Sequence, residues 1–465
     1  MPLPLRRNAL SAAAVSGLLL RRALFTTAAS RPQWAMTVRM DLHLIKSSST
    51  LTASFDLAEP PRASRLAVPD NRVDLRFLPG PDGKYMGFVP GDVRAVSEDG
   101  FLLLNFMDLN LTAQETGPDV FRFVCNPLSG ELFRLPDMFG TRKSVRYIYP
   151  GLLTETRRGN GHGPPERYAV AEALPKTEPS RFFSLRRFLS ETGEWEKLTG
   201  LRSPLPPARQ MKVDHEAVAC GDRLWWVDVS WGVLSVDPFS DRPELCFVEL
   251  PEGMPGKEHA ASDPEQRILA RYRRVGVSEG RLRYAEVSQR EPFLLRSFAL
   301  DGNDGGGGWT LEHEVALSPL WANGGYPWLP MEEGLDGTPR IGVFDPMNAS
   351  IMLLTVGKYV VTVDMDRGKV LASAVVCQDQ DHIIISCPHA SLQSFLLPPW
   401  LGSTRIPPAG NQLVAFFCPD QDACINVCLA HIYMNICLSS IQDLMENFVY
   451  YLLTVLLLIS RPFFS

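Results

Sequence analysis

Residues 225–251 read WWVDVSWGVLSVDPFSDRPELCFVELP, three short runs in which apolar and polar positions roughly alternate. A period of two places alternate side chains on opposite faces of a pleated strand, and runs this short are too brief for helices. A Ser-Trp-Gly corner and an Asp-Pro-Phe turn separate the runs, so the segment predicts consecutive β-strands. Looser copies stand at 343–370 and 124–135, each an Asn/Asp-Pro turn followed by a strand. Further strand-like runs fall at 73–78, 101–106, 121–124, 131–135, 145–149, 181–188 and 217–220. The series continues at 224–229, 245–250, 268–275, 282–287, 293–300, 309–315, 351–356, 359–363 and 370–376. Gly193 with Trp195, and Gly308 with Trp309, each follow a strand and a Gly turn. That order predicts an outer strand whose Trp caps the face of its own small sheet. Pro127, Pro238 and Pro346 stand 111 and 108 residues apart. Those intervals correspond to two or three units of about 40–50 residues.

The fold class that follows is all-β, a propeller-like array of small antiparallel sheets with helical, non-core N- and C-terminal extensions. A pair of β-sandwiches is the alternative. Size permits either, since 465 residues can bury one large repetitive core or several ordinary ones. With 38 Pro and 35 Gly, turns are dense, as many short strands require. Domain boundaries are placed at 1–31 (presequence-like), 32–69 (linker), 70–400 (propeller-like domain) and 401–465 (hydrophobic, Cys-rich tail).

Charge separates the ends from the body. Residues 1–40 hold six arginines, no lysine and no acid, which leaves −12 on the remainder of a chain whose total is −6. An acidic body lacks the footprint that phosphate neutralisation needs, so nucleic acid is not an expected partner. The basic runs at 181–187 and 271–274 are read as solvated strand faces. The Arg-rich, acid-free residues 1–31 have the composition of a mitochondrial presequence, with cleavage expected near Arg31. A secretory signal, or an unprocessed cytoplasmic or nuclear protein, is the alternative. Only the secretory case gives the sequons at Asn110 and Asn348 a role. The apolar run ending at 460 is about a dozen residues long, short of the ~20 that span a bilayer as a helix. A buried or interfacial helix is expected there, with membrane attachment the lesser reading. Nine cysteines in no disulfide-like spacing imply a reducing compartment and buried free thiols.

One set of residues carries a family resemblance. Trp226, Val227, Asp228, Gly232, Asp237, Pro238 and Phe239, then Leu245, Phe247, Val248, Leu250 and Pro251, resemble the recognisable core of a plant family known as domain of unknown function 1618. Trp309, His313, Trp321, Asp345, Pro346, Val363 and Asp364 resemble its partner segment. The likeness covers about residues 70–375. Asn126, Pro127, Gly130 and Pro136 also resemble propellers that follow F-box motifs, although no F-box precedes them. The resemblance implies a fold and brings no activity or catalytic residue.

Candidate chemistry is sparse. Asp214, His215 and Glu216 form the most catalytic-looking cluster, since a His beside carboxylates can serve as a general base. Neighbours on a strand point to opposite faces, so the three do not converge on one substrate. Asp228, Ser230 and Asp237 surround the Ser-Trp-Gly corner, where short polar side chains usually shape turns. Asp364 and Asp366, and Asp379, Asp381 and His382, lack the Gly-containing loop of a tight calcium site. Cys424, Cys428 and His431 fit no common zinc spacing. No P-loop, dinucleotide fingerprint, nucleophile elbow or HExxH motif occurs. The expectation is a non-enzymatic scaffold that binds protein and needs no metal or cofactor. The alternative is a hydrolase in whose central channel Asp214, His215, Asp228 and Asp237 line one polar pocket.

Overall fold

The computed structural model describes residues 31–410 apart from 47–48, 74–86, 89–90, 111–118, 142–148, 157–162, 176–181, 207–208, 210, 214–215, 252–262, 303–306, 324–337 and 377–391. The expected helical extensions, presequence and hydrophobic tail lie outside these residues, as do the strands expected at 74–78 and 145–148.

Strands follow one another as short meanders. The first group is β1 (Trp34–Ile45), β2 (Ser54–Asp56) and β3 (Ser64–Pro69), followed by the two-residue β4 (Gly87–Phe88). The second sheet is β5 (Gly91–Val96), β6 (Leu102–Asn110), β7 (Asp119–Cys125) and β8 (Leu132–Arg134). The third is β9 (Gly151–Glu155), β10 (Arg167–Pro175), β11 (Phe182–Leu189) and β12 (Glu194–Arg202). The fourth is β13 (Ala217–Cys220), β14 (Arg223–Asp228), β15 (Gly232–Val236) and β16 (Cys246–Glu249). The fifth is β17 (Arg273–Ser278), β18 (Arg281–Val287), β19 (Leu294–Leu300) and β20 (Trp309–Ala316). The sixth is β21 (Arg340–Phe344), β22 (Ile351–Val356), β23 (Tyr359–Asp364) and β24 (Lys369–Val375). Finally β25 (Leu392–Leu396) returns to pair antiparallel with β1, from Trp34↔Leu396 to Val38↔Leu392.

Ladders link β1 to β8 and β25 into one nine-stranded sheet, but its halves meet only at Leu42↔Gly91. Parted there, the molecule is six sheets. The innermost strands β5, β9, β13, β17, β21 and β25 adjoin in that order, and β25 adjoins β5. The ring therefore closes, which gives the propeller-like, mostly antiparallel β-fold expected from the alternation. One pairing departs from that expectation, because β1 and β3 run parallel.

Consecutive tryptophans explain how neighbouring sheets cohere. Trp225 and Trp226 sit side by side on β14 and so point to opposite faces, and both are fully buried. Trp226 fills the core between the third and fourth sheets with Leu153, Phe183, Leu185 and Leu234. Trp225 fills the one between the fourth and fifth with Val275, Leu282, Tyr284 and Phe298. Burying either ring contributes on the order of 3 kcal/mol or more, so this dipeptide fastens three sheets at once.

The structure corrects several expectations. Residues 32–69 are no linker, since β1 to β3 lie there and β1 supports the closing strand. Residues 268–272 belong to α1 (Asp263–Tyr272), a helix opened by an Asp-Pro-Glu start signal, and β17 begins only at Arg273. A second helix, α2 (Leu317–Asn323), buries Leu317 and Trp321 four residues apart. Arg187, Arg273 and Arg274 are buried rather than solvated. Pro127 and Pro238 follow the third strands of the second and fourth sheets, two units apart, whereas Pro346 follows a first strand. The repeat is thus longer than 40–50 residues, and the third mark is out of step.

Candidate functional site

Each innermost strand starts at one end of the ring and turns outward at the other. Side chains bring the two ends different chemistry.

At the starting end a buried ionic network joins four of the sheets, the fourth, fifth, sixth and first. Glu216, just before β13, accepts from Arg274 of β17 through Oε1 (2.7 Å from Nη2 and 2.9 Å from Nε). Its Oε2 accepts from the Gln393 amide of β25. Arg274 also donates to the Leu392 carbonyl at 2.6 Å and to that of Gly342 in β21. Beside this group Arg94 Nε lies 2.8 Å from Asp92 Oδ2 on β5. Arg39 and Arg94 approach the ring of Tyr149, their Cζ atoms 5.4 and 5.8 Å from its centroid. Tyr149 is itself fixed, its carbonyl accepting the Trp226 indole at 2.9 Å. Farther out Glu172 of β10 lies between Arg122 (3.5 Å) and Arg186 (3.9 Å). Burial raises the pKa values of Asp92 and Glu172 despite these cations, and it lowers that of Arg39 with help from Arg94.

At the turning end the β5–β6, β13–β14, β17–β18 and β21–β22 turns touch one another, and they are rich in acids. Glu98 Oε1 accepts the Gly221 amide at 3.1 Å, which ties the second sheet to the fourth. Asp99 Oδ2 accepts the Thr154 hydroxyl at 2.7 Å, and Ser278 donates to the Asp345 carbonyl at 2.6 Å. Gly100 adopts φ +85°, where a Cβ would stand 2.1 Å from the Leu396 carbonyl oxygen. Burial, with Asp99 and Asp222 nearby, pushes Glu98 up to about 7 against the pull of the Gly221 amide. Burial likewise raises Asp99 and Asp345.

Of the residues expected to form a hydrolytic centre, the two described ones, Asp228 and Asp237, stand apart. Asp214 and His215 lie outside the described residues. Asp228 caps the β14–β15 corner, its Oδ1 accepting the Ser230 amide (3.0 Å) and hydroxyl (2.6 Å). Its Oδ2 accepts the Lys212 amide at 3.0 Å. Asp237 accepts the Phe239 amide at 2.8 Å in the β15–β16 turn. Because Asp228 pairs with Gly232 while Asp237 follows Val236, the two mark opposite ends of one strand. That separates them by roughly 16 Å at ~3.3 Å per residue, too far to share a pocket. Asp364 accepts the Arg367 amide at 2.9 Å and Asp366 pairs with His313 at 3.1 Å, each in its own local contact. Among the described residues no group of three or more His, Cys, Asp or Glu is placed to hold a metal ion. Cys125 and Cys220 are buried free thiols, and burial raises both, Cys220 to about 12. No described helix is long and apolar enough to cross a membrane.

Glu216, the described member of the sequence cluster, enters a converging site, and its partners are not marked by any motif. Arg39, Asp92, Arg94, Tyr149, Arg274 and Gln393 come from distant segments, so no motif marks them. A usable signal was present at Arg273 and Arg274, two arginines between the apolar Tyr272 and Val275.

Residues 226–385 match the family model described as "Protein of unknown function (DUF1618)". That segment starts within β14 and runs past β24, so it takes in most of the fourth sheet and all of the fifth and sixth. The likeness read from the sequence began earlier, near residue 70. No curated protein matches. Among solved structures, a chain of "Crystal Structure of Mitotic Checkpoint Complex" is similar at 7% identity and TM-score 0.30, over 60% of this chain and 64% of that one. The chain thus spans less than two thirds of that chain's length. The Myceliophteria thermophila Cps50 (Swd1) beta-propeller domain is similar at 11% identity and TM-score 0.28, over 71% and 88%. The SapL1 lectin in complex with alpha methyl fucoside is similar at 12% and 0.32, over 64% and 85%.

Proposed function

We propose that this chain is a non-enzymatic β-scaffold that docks a protein partner. The observation that supports it is the use made of the carboxylates. Asp228 and Asp237 hold turns at opposite ends of β15, and Glu216 is locked to Arg274 and Gln393. A carboxylate that accepts from backbone amides or a buried guanidinium orders its surroundings. The acidic body favours a basic partner surface over nucleic acid. Residence in the mitochondrion, proposed from residues 1–31, locates the partner there.

The test begins with affinity capture from intact mitochondria using the full chain, followed by reconstitution with the purified partner. The reading expects a stoichiometric complex that weakens as salt is raised from 50 to 500 mM. A partner that fails to bind in reconstitution counts against it. Turnover of a glycoside or ester by the full chain, abolished by His215→Ala, overturns it in favour of the hydrolase.

A further inference from the structure

One contact between sheets at the turning end depends on a carboxyl group that no cation balances. Glu98 stands in the β5–β6 turn of the second sheet and accepts the Gly221 amide of the fourth sheet at 3.1 Å. The contact reaches past β9, the innermost strand of the third sheet, whose Thr154 donates to the adjacent Asp99. Glu98 is only partly exposed, and among the described residues no lysine or arginine pairs with it.

The charged groups on the neighbouring elements are acids or are engaged elsewhere. Asp99 follows Glu98 in its own turn and Asp222 follows Gly221 in the facing one, and both repel an ionised Glu98. On the β13–β14 hairpin, Arg223 donates to Ser235 and to the Glu244 carbonyl, and the buried Cys220 thiol keeps its proton. On β9, Glu155 is paired with Arg167. In the β17–β18 turn, Glu279 accepts the Ala349 amide. The stretch after β25 brings Leu396 and Leu401 against Gly100, and residues 396–404 carry no charge. A negative charge at Glu98 is therefore favoured by one amide alone, while burial and two acids favour the proton.

We propose that the Glu98–Gly221 contact is a proton-controlled clasp: protonated, Glu98 holds the β5–β6 turn against the β13–β14 turn, and on losing its proton to solvent it swings out and frees the two turns from each other. The clasp is a regulatory device of the fold and does not depend on which partner the scaffold docks. In the closed position Glu98 keeps its proton up to about 7, whereas a freely solvated carboxyl keeps it to the ordinary 4.5. Closure is therefore firmest in acid and weakens as pH rises. Between pH 6 and pH 8 the closing equilibrium falls about tenfold, or roughly threefold once solvent screening is included.

Hydrogen–deuterium exchange of the full chain at pH 6 and pH 8 tests this, with labelling times scaled to the intrinsic exchange rate at each pH. Protection of peptides covering residues 97–101 and 219–223 should fall roughly threefold or more from pH 6 to pH 8, while peptides covering β10 and β11 keep theirs. Glu98→Gln retains a neutral acceptor of the same shape, so its turns should stay protected at both values. Should that variant not fold, the wild-type comparison decides alone. Equal protection of the wild-type turns at both values, a fall shared by β10 and β11, or the wild-type pH dependence in a folded Glu98→Gln overturns the proposal.

Discussion

The two ends of the ring are built from the same strands and solve opposite electrostatic problems. Where the innermost strands begin, arginines sit deep, and hydrogen-bonded ion pairs join sheets far apart in sequence. Where the strands turn, acids outnumber bases, and they accept from amides and a hydroxyl on neighbouring turns. A guanidinium with five donors can serve several sheets at once. A carboxylate in a tight turn is filled by the amides beside it. The first end depends on long-range charge pairing and the second on backbone geometry, so they should fail differently.

The largest effect is expected at the starting end. Glu216→Ala leaves the Arg274 charge with backbone carbonyls alone and takes the carboxylate acceptor from Gln393, and removing one partner of a buried pair costs about 3–5 kcal/mol. Urea denaturation should show it, with the double variant Glu216→Leu/Arg274→Met losing less than either single change. Equal or additive losses would refute the coupling. At the turning end, Gly100→Ala should cost about 2–3 kcal/mol, because φ +85° and the Leu396 carbonyl leave no place for a methyl group. Its denaturation midpoint should fall without any change in salt dependence.

Glu98→Gln sharpens the contrast through pH. The folded chain holds the Glu98 proton up to about 7, above the ordinary 4.5, so between those values it binds more protons than the unfolded chain. Wild-type stability contributed by this group is therefore complete below pH 4.5 and is lost as pH rises to about 7. The full swing is at most about 3–4 kcal/mol, at about 1.4 kcal/mol per tenfold change in proton affinity. Solvent screening reduces it to roughly half that. Glu98→Gln should flatten this slope and stabilise the chain at pH 8; an unchanged slope means Asp99, also raised by burial, carries it instead. The smallest effects lie on the outer rim. The indoles of Trp195 and Trp309 each donate to a carbonyl of the preceding sheet, Pro136 and Glu249, at 2.9 Å. Trp→Phe at either position should cost about 1 kcal/mol, the net worth of one hydrogen bond.

These contrasts also explain what could be read from the chain. Residues 225–236 announce their strands because alternation is a local signal and Trp225 and Trp226 obey it. The outer-strand role of Trp195 and Trp309 was legible for the same reason. Each packs in its own sheet, on Phe188 and Tyr284, but also reaches the neighbour, which no local pattern encodes. The ionic network was illegible because Arg39, Glu216, Arg274 and Gln393 meet only when the ring closes. Arg273 and Arg274 looked like a solvated face because charge usually means exposure. The stretch at 32–69 reads as a linker because one of the partners of β1 lies more than three hundred residues away, at Leu392–Leu396.

That late partner sets the order of assembly. Residues 34–38 emerge early from the ribosome and wait, with one strand edge bare, until residue 396 has been made. A transcript that stops before residue 392 therefore yields five complete sheets and an unclosed seam, a product suited to self-association and to disposal by quality-control proteases.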